Sequence, residues 1–232
     1  MDTTPTDTRS ASRPLWCLVS DRQRLAGSSP TAVPALVTLV GAAARAGVHL
    51  IQIRERDLAA GALCAVVRAC VDAVKGSGAR VVVNDRIDVA LAAGADGVHL
   101  RGDGPPASRV RRMVRAGFLI GRSVHTVPEA REAAADRAVD YLLAGTVFPT
   151  ASKPGRGDVL GLEGLRAIVA SVDVPVLAIG GLDVASAAGV AGAGAAGMAA
   201  IGLFCGGPAS DVELTRTIAA LRRAFDSSRR VP

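Results

Sequence analysis

The chain has 232 residues, half of them apolar and only 3% aromatic, with a net charge of +6 and a pI near 9.9. That length suits one α/β barrel or two small domains, and the apolar share supports a large core built from Ala, Val, Leu and Ile. The basic balance admits nucleic acid, acidic membranes or anionic metabolites, but no aromatics interleave with the arginines, no nucleic-acid motif occurs, and every apolar run is broken by Gly, Pro or charge before it could span a bilayer.

Residues 1–13 are polar and rich in Thr, Ser and Asp, without the apolar stretch of a signal peptide, and read as disordered. Residues 14–226 read as one domain and residues 227–232 as a basic tail. Arg109, Arg111, Arg112 and Arg115 share one predicted helix, and Arg222, Arg223, Arg229 and Arg230 lie near the C-terminus; both groups read as solvated faces and loose tail. Cys17, Cys64, Cys70 and Cys205 form no CxxC pair and have apolar neighbours, so they read as buried free thiols of a reducing cytoplasm.

Within the domain one pattern recurs. An Ala-rich helical stretch ends at Gly, and a short β-branched run follows, as in "AAARAGVHLIQIR", "ALAAGADGVHL", "RAGFLIGRSV" and "AGAGAAGMAAIG". Gly suits the stop because it takes the left-handed conformation that ends a helix. The runs are apolar nearly throughout, as parallel strands buried on both faces are. Strands are predicted near Leu15–Ser20, Val48–Arg54, Arg80–Asn84, Gly97–Leu100, Phe118–Ser123, Tyr141–Gly145, Val176–Gly180 and Met198–Ile201. Helices of about 8 to 17 residues separate them. Eight alternating units favour a closed (β/α)8 TIM barrel over an open doubly wound sheet.

In such barrels chemistry sits past the C-terminal strand ends. The second strand ends in Gln52, Arg54 and Arg56. Alternate residues share a side, so the three can face the mouth as a clamp for phosphate or pyrophosphate; the other reading pairs both arginines with Glu55 and Asp57 on the surface. The third ends in Asn84, Asp85 and Arg86, a set that suits either Mg2+ or a helix cap. The fourth ends in His99, Leu100, Arg101, Gly102 and Asp103. The fifth ends in Ser123 and His125, a hydroxyl and an imidazole on one side.

The longest predicted loop, Phe148–Gly161, carries Thr150, Ser152 and Lys153 and reads as an anion-holding lid. The seventh strand ends in Gly180 and Gly181 and the eighth in Ile201 and Gly202. Glycines there let backbone N–H groups approach phosphate, although tight turns alone would also use them.

The segments "QIRER", "VNDRIDVALAAGADGVHL", "GRSVHT", "DYLLAGTVFPTASKPG", "GLEGL" and "PVLAIGGL" occur in an order that resembles the thiamine phosphate synthase family, which includes thiazole tautomerases. The likeness runs from about Leu15 to Phe225. It implies that hydroxymethylpyrimidine diphosphate loses pyrophosphate and that a thiazole phosphate nitrogen attacks the resulting pyrimidine-stabilised cation. By matching motif, Gln52, Arg54, Arg56, Asn84 and Lys153 would hold the diphosphate, Asp85 would bind Mg2+, and Ser123 would lie beside the leaving group. Thr150, Ser152, Gly181, Ile201 and Gly202 would hold the thiazole phosphate.

The chain departs from the family pattern in several places. Arg56 stands where Lys is usual, and Ser152 where the second Thr of "TxTK" is usual. "HLRGDG" replaces His-Leu-Gly-Gln-x-Asp, so Gly104 falls at the second metal-binding Asp, with Asp103 one residue early as the candidate replacement. Two other functions follow from the resemblance: a metal-free tautomerase with His125 as acid and base, and a non-catalytic protein of thiamine metabolism that binds phosphate. Nothing separates interface apolar residues from core ones, so a homo-oligomer stays open.

Overall fold

The computed structural model describes residues 14–27, 29–135, 137–150, 159–206 and 210–229. The strands run in chain order as β1 (Leu15–Val19), β2 (Leu50–Ile53), β3 (Arg80–Asn84), β4 (Gly97–Leu100), β5 (Leu119–Val124), β6 (Tyr141–Ala144), β7 (Val176–Ile179) and β8 (Gly197–Ala200). Each pairs in parallel with its sequence neighbours, and β8 closes on β1, with Leu15 opposite Gly197 and Leu18 opposite Ala200. The expected (β/α)8 barrel is present, and the open sheet is not.

The helix-stop glycines take the conformation their place requires. At the end of helix Ala32–Ala46, Gly47 has φ +96°, and its N–H donates to the carbonyls of Ala43 and Ala44. The next N–H, of Val48, also donates to Ala43, at 3.0 Å. Val48 therefore still belongs to the helix cap, and β2 begins two residues later than predicted.

The period-2 alternation sorts each strand into two cores. Cys17, Val19, Leu50, Val82, Tyr141, Leu143, Leu177 and Ala199 pack together inside the barrel. Trp16, Leu18, Ile51, Ile53, Val81 and Val83 join the larger core between strands and helices. Burying each such large side chain contributes roughly 1.5–3 kcal/mol. Small and large residues fit together inside: a Cβ on Gly121 would overlap the Tyr141 ring and His99 Nδ1. At the opposite end from the site, Asp96 and Asp140 clasp the starts of neighbouring strands. Val81 N–H donates to Asp96 at 2.8 Å, and Ile120 N–H donates to Asp140 at 2.7 Å.

Several expectations change. Helices Ile87–Ala92, Ala107–Arg111 and Ala187–Gly192 have six, five and six residues, shorter than predicted. Arg112 and Arg115 lie beyond the helix that was to hold all four arginines, because it ends at Arg111. Arg111 is half-buried rather than solvated, donating to the carbonyls of Phe118 and Ala138 and to Asp140. Cys17, Cys70 and Cys205 are buried free thiols, but Cys64 is only partly covered. Helix Asp211–Arg229 takes in Arg222, Arg223 and the first three residues of the expected tail. The segment 1–13 and residues 230–232 lie outside the described residues. No described helix is long and apolar enough to cross a membrane.

Candidate active site

The inward parity that builds the barrel core continues past the C-terminal strand ends. Val19 leads to Asp21, Leu50 to Gln52, Arg54 and Arg56, and Val82 to Asn84. His99 leads to Arg101, Ser123 to His125, and Leu143 to Gly145. Gln52, Arg54, Arg56, Asn84, His99, Arg101, Ser123, His125, Thr150, Gly181, Ile201 and Gly202 all line one cavity of about 370 Å3 at the barrel mouth.

The two readings of Arg54 and Arg56 separate cleanly in the structure. Glu55 and Asp57 turn to the end of β1 and take Arg22 as their partner, at 2.9 Å and 2.5 Å. Glu55 is buried and also accepts the Ser20 hydroxyl at 2.6 Å, while Ser20 Oγ accepts the Arg54 N–H at 2.8 Å. Arg22 holds the Asp57 carboxyl down at about 2. With both acids committed elsewhere, no ion pair forms at Arg54 or Arg56 among the described residues. Arg54 is half-buried, and burial, followed by the neighbouring Arg56 charge, lowers its pKa while leaving it protonated. Below them Gln52 is buried, and its Nε2 has no hydrogen-bond partner among the described residues. A buried amide donor without an acceptor costs stability unless a ligand supplies one.

Ser123 is positioned by a residue to which sequence reasoning gave no role. His99, 2% exposed, has Nε2 at 2.9 Å from Ser123 Oγ and Nδ1 at 3.2 Å from the Tyr141 hydroxyl. Its ring stacks on Tyr141 with centroids 5.6 Å apart. Burial pushes the His99 pKa down to about 3, so it is neutral. Its only sequence signal was strand parity. The same parity from Val19 would have found Asp21, which also lines the cavity. His125 is half-exposed, with Nδ1 at 3.1 Å from Glu129 and its backbone N–H on the same carboxylate.

On the opposite wall the glycine turns are required sterically. Gly180 and Gly181 have φ of +102° and +65°, and a Cβ at Gly181 would lie 2.6 Å from the carbonyl oxygens of both Phe148 and Pro149. The described flanks of the long loop are tied down here: Phe148 N–H donates to Gly180 and Leu160 N–H to Thr146. Ser152 and Lys153, the expected lid residues, lie outside the described residues.

The two metal candidates part company. Asp85, at φ +62°, lines an adjoining cavity of about 270 Å3 that shares Arg54, Arg56, Asn84 and Arg101 with the main one. A non-glycine residue held in the left-handed region is uncommon, and such positions cluster at functional sites. Asp103 lines neither cavity. Its exposed carboxylate takes both arms of Arg101, at 2.9 and 2.7 Å, which lowers its pKa. Among the described residues no three His, Cys, Asp or Glu side chains gather around a metal position. What remains is one carboxylate beside the cationic pocket, a set that fits a Mg2+ only if most of its ligands come from outside the protein.

The fold and mouth thus define a (β/α)8 barrel with a polar cavity, lined by several arginines, at the C-terminal ends of its strands. The family model described as thiamine monophosphate synthase matches residues 17–204, and the chain belongs to that family. It is 43% identical over 173 residues to a thiamine-phosphate synthase of Roseiflexus castenholzii, covering 75% of each chain. To one of another Roseiflexus species it is 40% identical over 196 residues, covering 84% of this chain and 83% of that one. Among solved structures it resembles a thiamine phosphate pyrophosphorylase from Pyrococcus furiosus, with TM-score 0.75 and 32% identity, over 93% of this chain and 96% of that one.

Proposed function

We propose that the chain is a thiamine phosphate synthase, acting on hydroxymethylpyrimidine diphosphate and a thiazole phosphate in the cytoplasm. The observation that carries this is the pair Arg54 and Arg56, which face one cavity above Gln52 and form no ion pair among the described residues, while the buried Gln52 amide nitrogen finds no partner among them.

The chemistry breaks the bond between the pyrimidine methylene carbon and the diphosphate oxygen and forms one from that carbon to the thiazole nitrogen. Pyrophosphate leaves with the electron pair, and the thiazole becomes a cationic ring. Arg54, Arg56 and Asn84 bind the diphosphate and stabilise the charge that grows on its leaving oxygens. Ser123, held by neutral His99, offers its hydroxyl beside the same oxygens. Backbone N–H groups at Gly181 and Gly202, with Ile201 and Thr150 beside them, hold the thiazole phosphate across the cavity. The resemblance adds Lys153 and Ser152 to these sets. When bound, Mg2+ would further neutralise the diphosphate, and Asp85 is the residue that would hold it.

The test mixes the purified chain with Mg2+ and both substrates and follows thiamine phosphate fluorometrically after oxidation. Product is expected, with Asp85→Asn slowing it by about 10²–10³-fold, the scale of losing a charge-stabilising group. Absence of product at high enzyme concentration would refute the reading. His125→Ala is expected to matter less than Asp85→Asn, since the relatives bear synthase names and His125 leans on Glu129.

A further inference from the structure

Between the two cavities stands a residue that no motif assigned. Arg101 continues the inward parity of β4 past His99 and borders both the main cavity and the one lined by Asp85. Its Nε lies 3.6 Å from Asp85 Oδ2, and its Nη2 lies 2.7 Å from Asp103 Oδ2. The guanidinium therefore sits between the two carboxylates that a divalent cation would have to share.

The loop that carries it is set in advance. Gly104 N–H donates to the Arg101 carbonyl at 3.1 Å, closing a turn. From behind, Arg122 on β5 donates to the carbonyls of Gly102 at 2.6 Å, Gly104 at 3.2 Å and Pro105 at 2.9 Å. A Cβ at Gly104 would stand 3.7 Å from Asp85 Oδ1, so position 104 faces the Asp85 carboxylate and carries no side chain to meet it.

The geometry points to Arg101 as a built-in cation of the diphosphate subsite, occupying the place beside Asp85 where a second acidic ligand would otherwise complete a metal site. This deepens the synthase reading and rests on it. A guanidinium bonds phosphate oxygens through two parallel N–H groups, and here it can exchange the exposed Asp103 carboxylate for the ligand. Three arginines, Arg54, Arg56 and Arg101, then surround one diphosphate. The chain holds that group with less help from metal than a site built on two carboxylates needs.

The experiment measures inorganic pyrophosphate binding by titration calorimetry, in excess EDTA and in Mg2+. The proteins compared are the wild-type chain, Arg101→Gly, Arg101→Lys and the double variant Arg101→Gly with Gly104→Asp. The wild type is expected to bind without metal. Arg101→Gly should weaken that metal-free binding by about tenfold to a hundredfold, the scale of a lost charge-assisted hydrogen-bond pair, with Arg101→Lys in between. In a parallel Mn2+ titration followed by electron paramagnetic resonance, the double variant should bind Mn2+ more tightly than the wild type, since the carboxylate introduced at position 104 would face Asp85 with the guanidinium gone. The assignment is overturned if metal-free pyrophosphate affinity is unchanged in Arg101→Gly, or if Mn2+ affinity is the same in wild type and double variant. Circular dichroism checks folding, and Arg101→Gln replaces Arg101→Gly if the latter fails to fold. Each protein is also assayed for thiamine phosphate formation. No product from wild type sinks the synthase reading, whereas product with unchanged metal-free binding in Arg101→Gly sinks only the role of Arg101.

Discussion

His99 holds Ser123 through one ring nitrogen and meets Tyr141 through the other, and its burial has a thermodynamic consequence. In the unfolded chain the imidazole titrates near 6.5, and in the barrel burial moves it to about 3. As pH falls through that window the unfolded chain takes up a proton that the folded chain refuses. Stability is therefore fully present above about 6.5 and is lost on acidification. At pH 5 the loss from this residue is about 2 kcal/mol. Urea unfolding of the wild type and His99→Gln at pH 7 and pH 5 checks it. The variant should lose less stability between the two, and an equal loss would assign the acid sensitivity to other groups. At the same scale, the sequence left Arg54 and Arg56 undecided because pairing depends on a distant residue. Arg22, on the loop after β1, draws off Glu55 and Asp57, and nothing near "QIRER" announces it.

At the scale of elements, strands were more legible than helices. Arg80–Asn84 and Gly97–Leu100 match the sequence reading at both ends, because a two-sided apolar run bounded by Gly or polar residues has few other uses. The start of β2 was misplaced because a helix-cap hydrogen bond claims Val48, a contact that periodicity does not encode. The C-terminal helix was underestimated although its signal was present. Leu214, Ile218, Leu221 and Phe225 fall at helical spacing, and all are buried against the barrel, whereas the nearby arginines suggested a tail. Phe225 meets Trp16 of β1 edge to face, with centroids 5.1 Å apart at 87°. Phe225→Ala is expected to cost about 3–5 kcal/mol in chemical unfolding, as full burial of a large ring implies. The exposed Arg223→Ala should stay within about 0.5 kcal/mol. Comparable losses for the two would mean that the helix does not anchor the barrel through this face.

Over the whole molecule, one rule of parity makes both the core and the site. Residues that point inward fill the barrel with Cys17, Val19, Leu50, Val82, Tyr141 and Leu177. Further along the barrel strands, at and past their C-terminal ends, the inward positions become Gln52, Arg54, Arg56, Asn84, Ser123 and His125. Closure of the barrel brings together groups as distant in sequence as Asp21 and Gly202, which is why the strand ends could be named from sequence but their neighbours across the mouth could not. The His99–Ser123 contact and the Arg101 bridge exist only because β3, β4 and β5 lie side by side in this register.

The central claim is that these strand ends serve one pair of anions in a single cavity. A crystal structure of the chain with pyrophosphate and thiamine phosphate tests it most directly. The account predicts pyrophosphate against Arg54, Arg56 and Asn84, and the thiamine phosphate group at the Gly181 and Gly202 turns. Anions bound instead in the separate cavity beside β5, among Arg122, Glu129 and Glu132, with the barrel mouth left open, would contradict it.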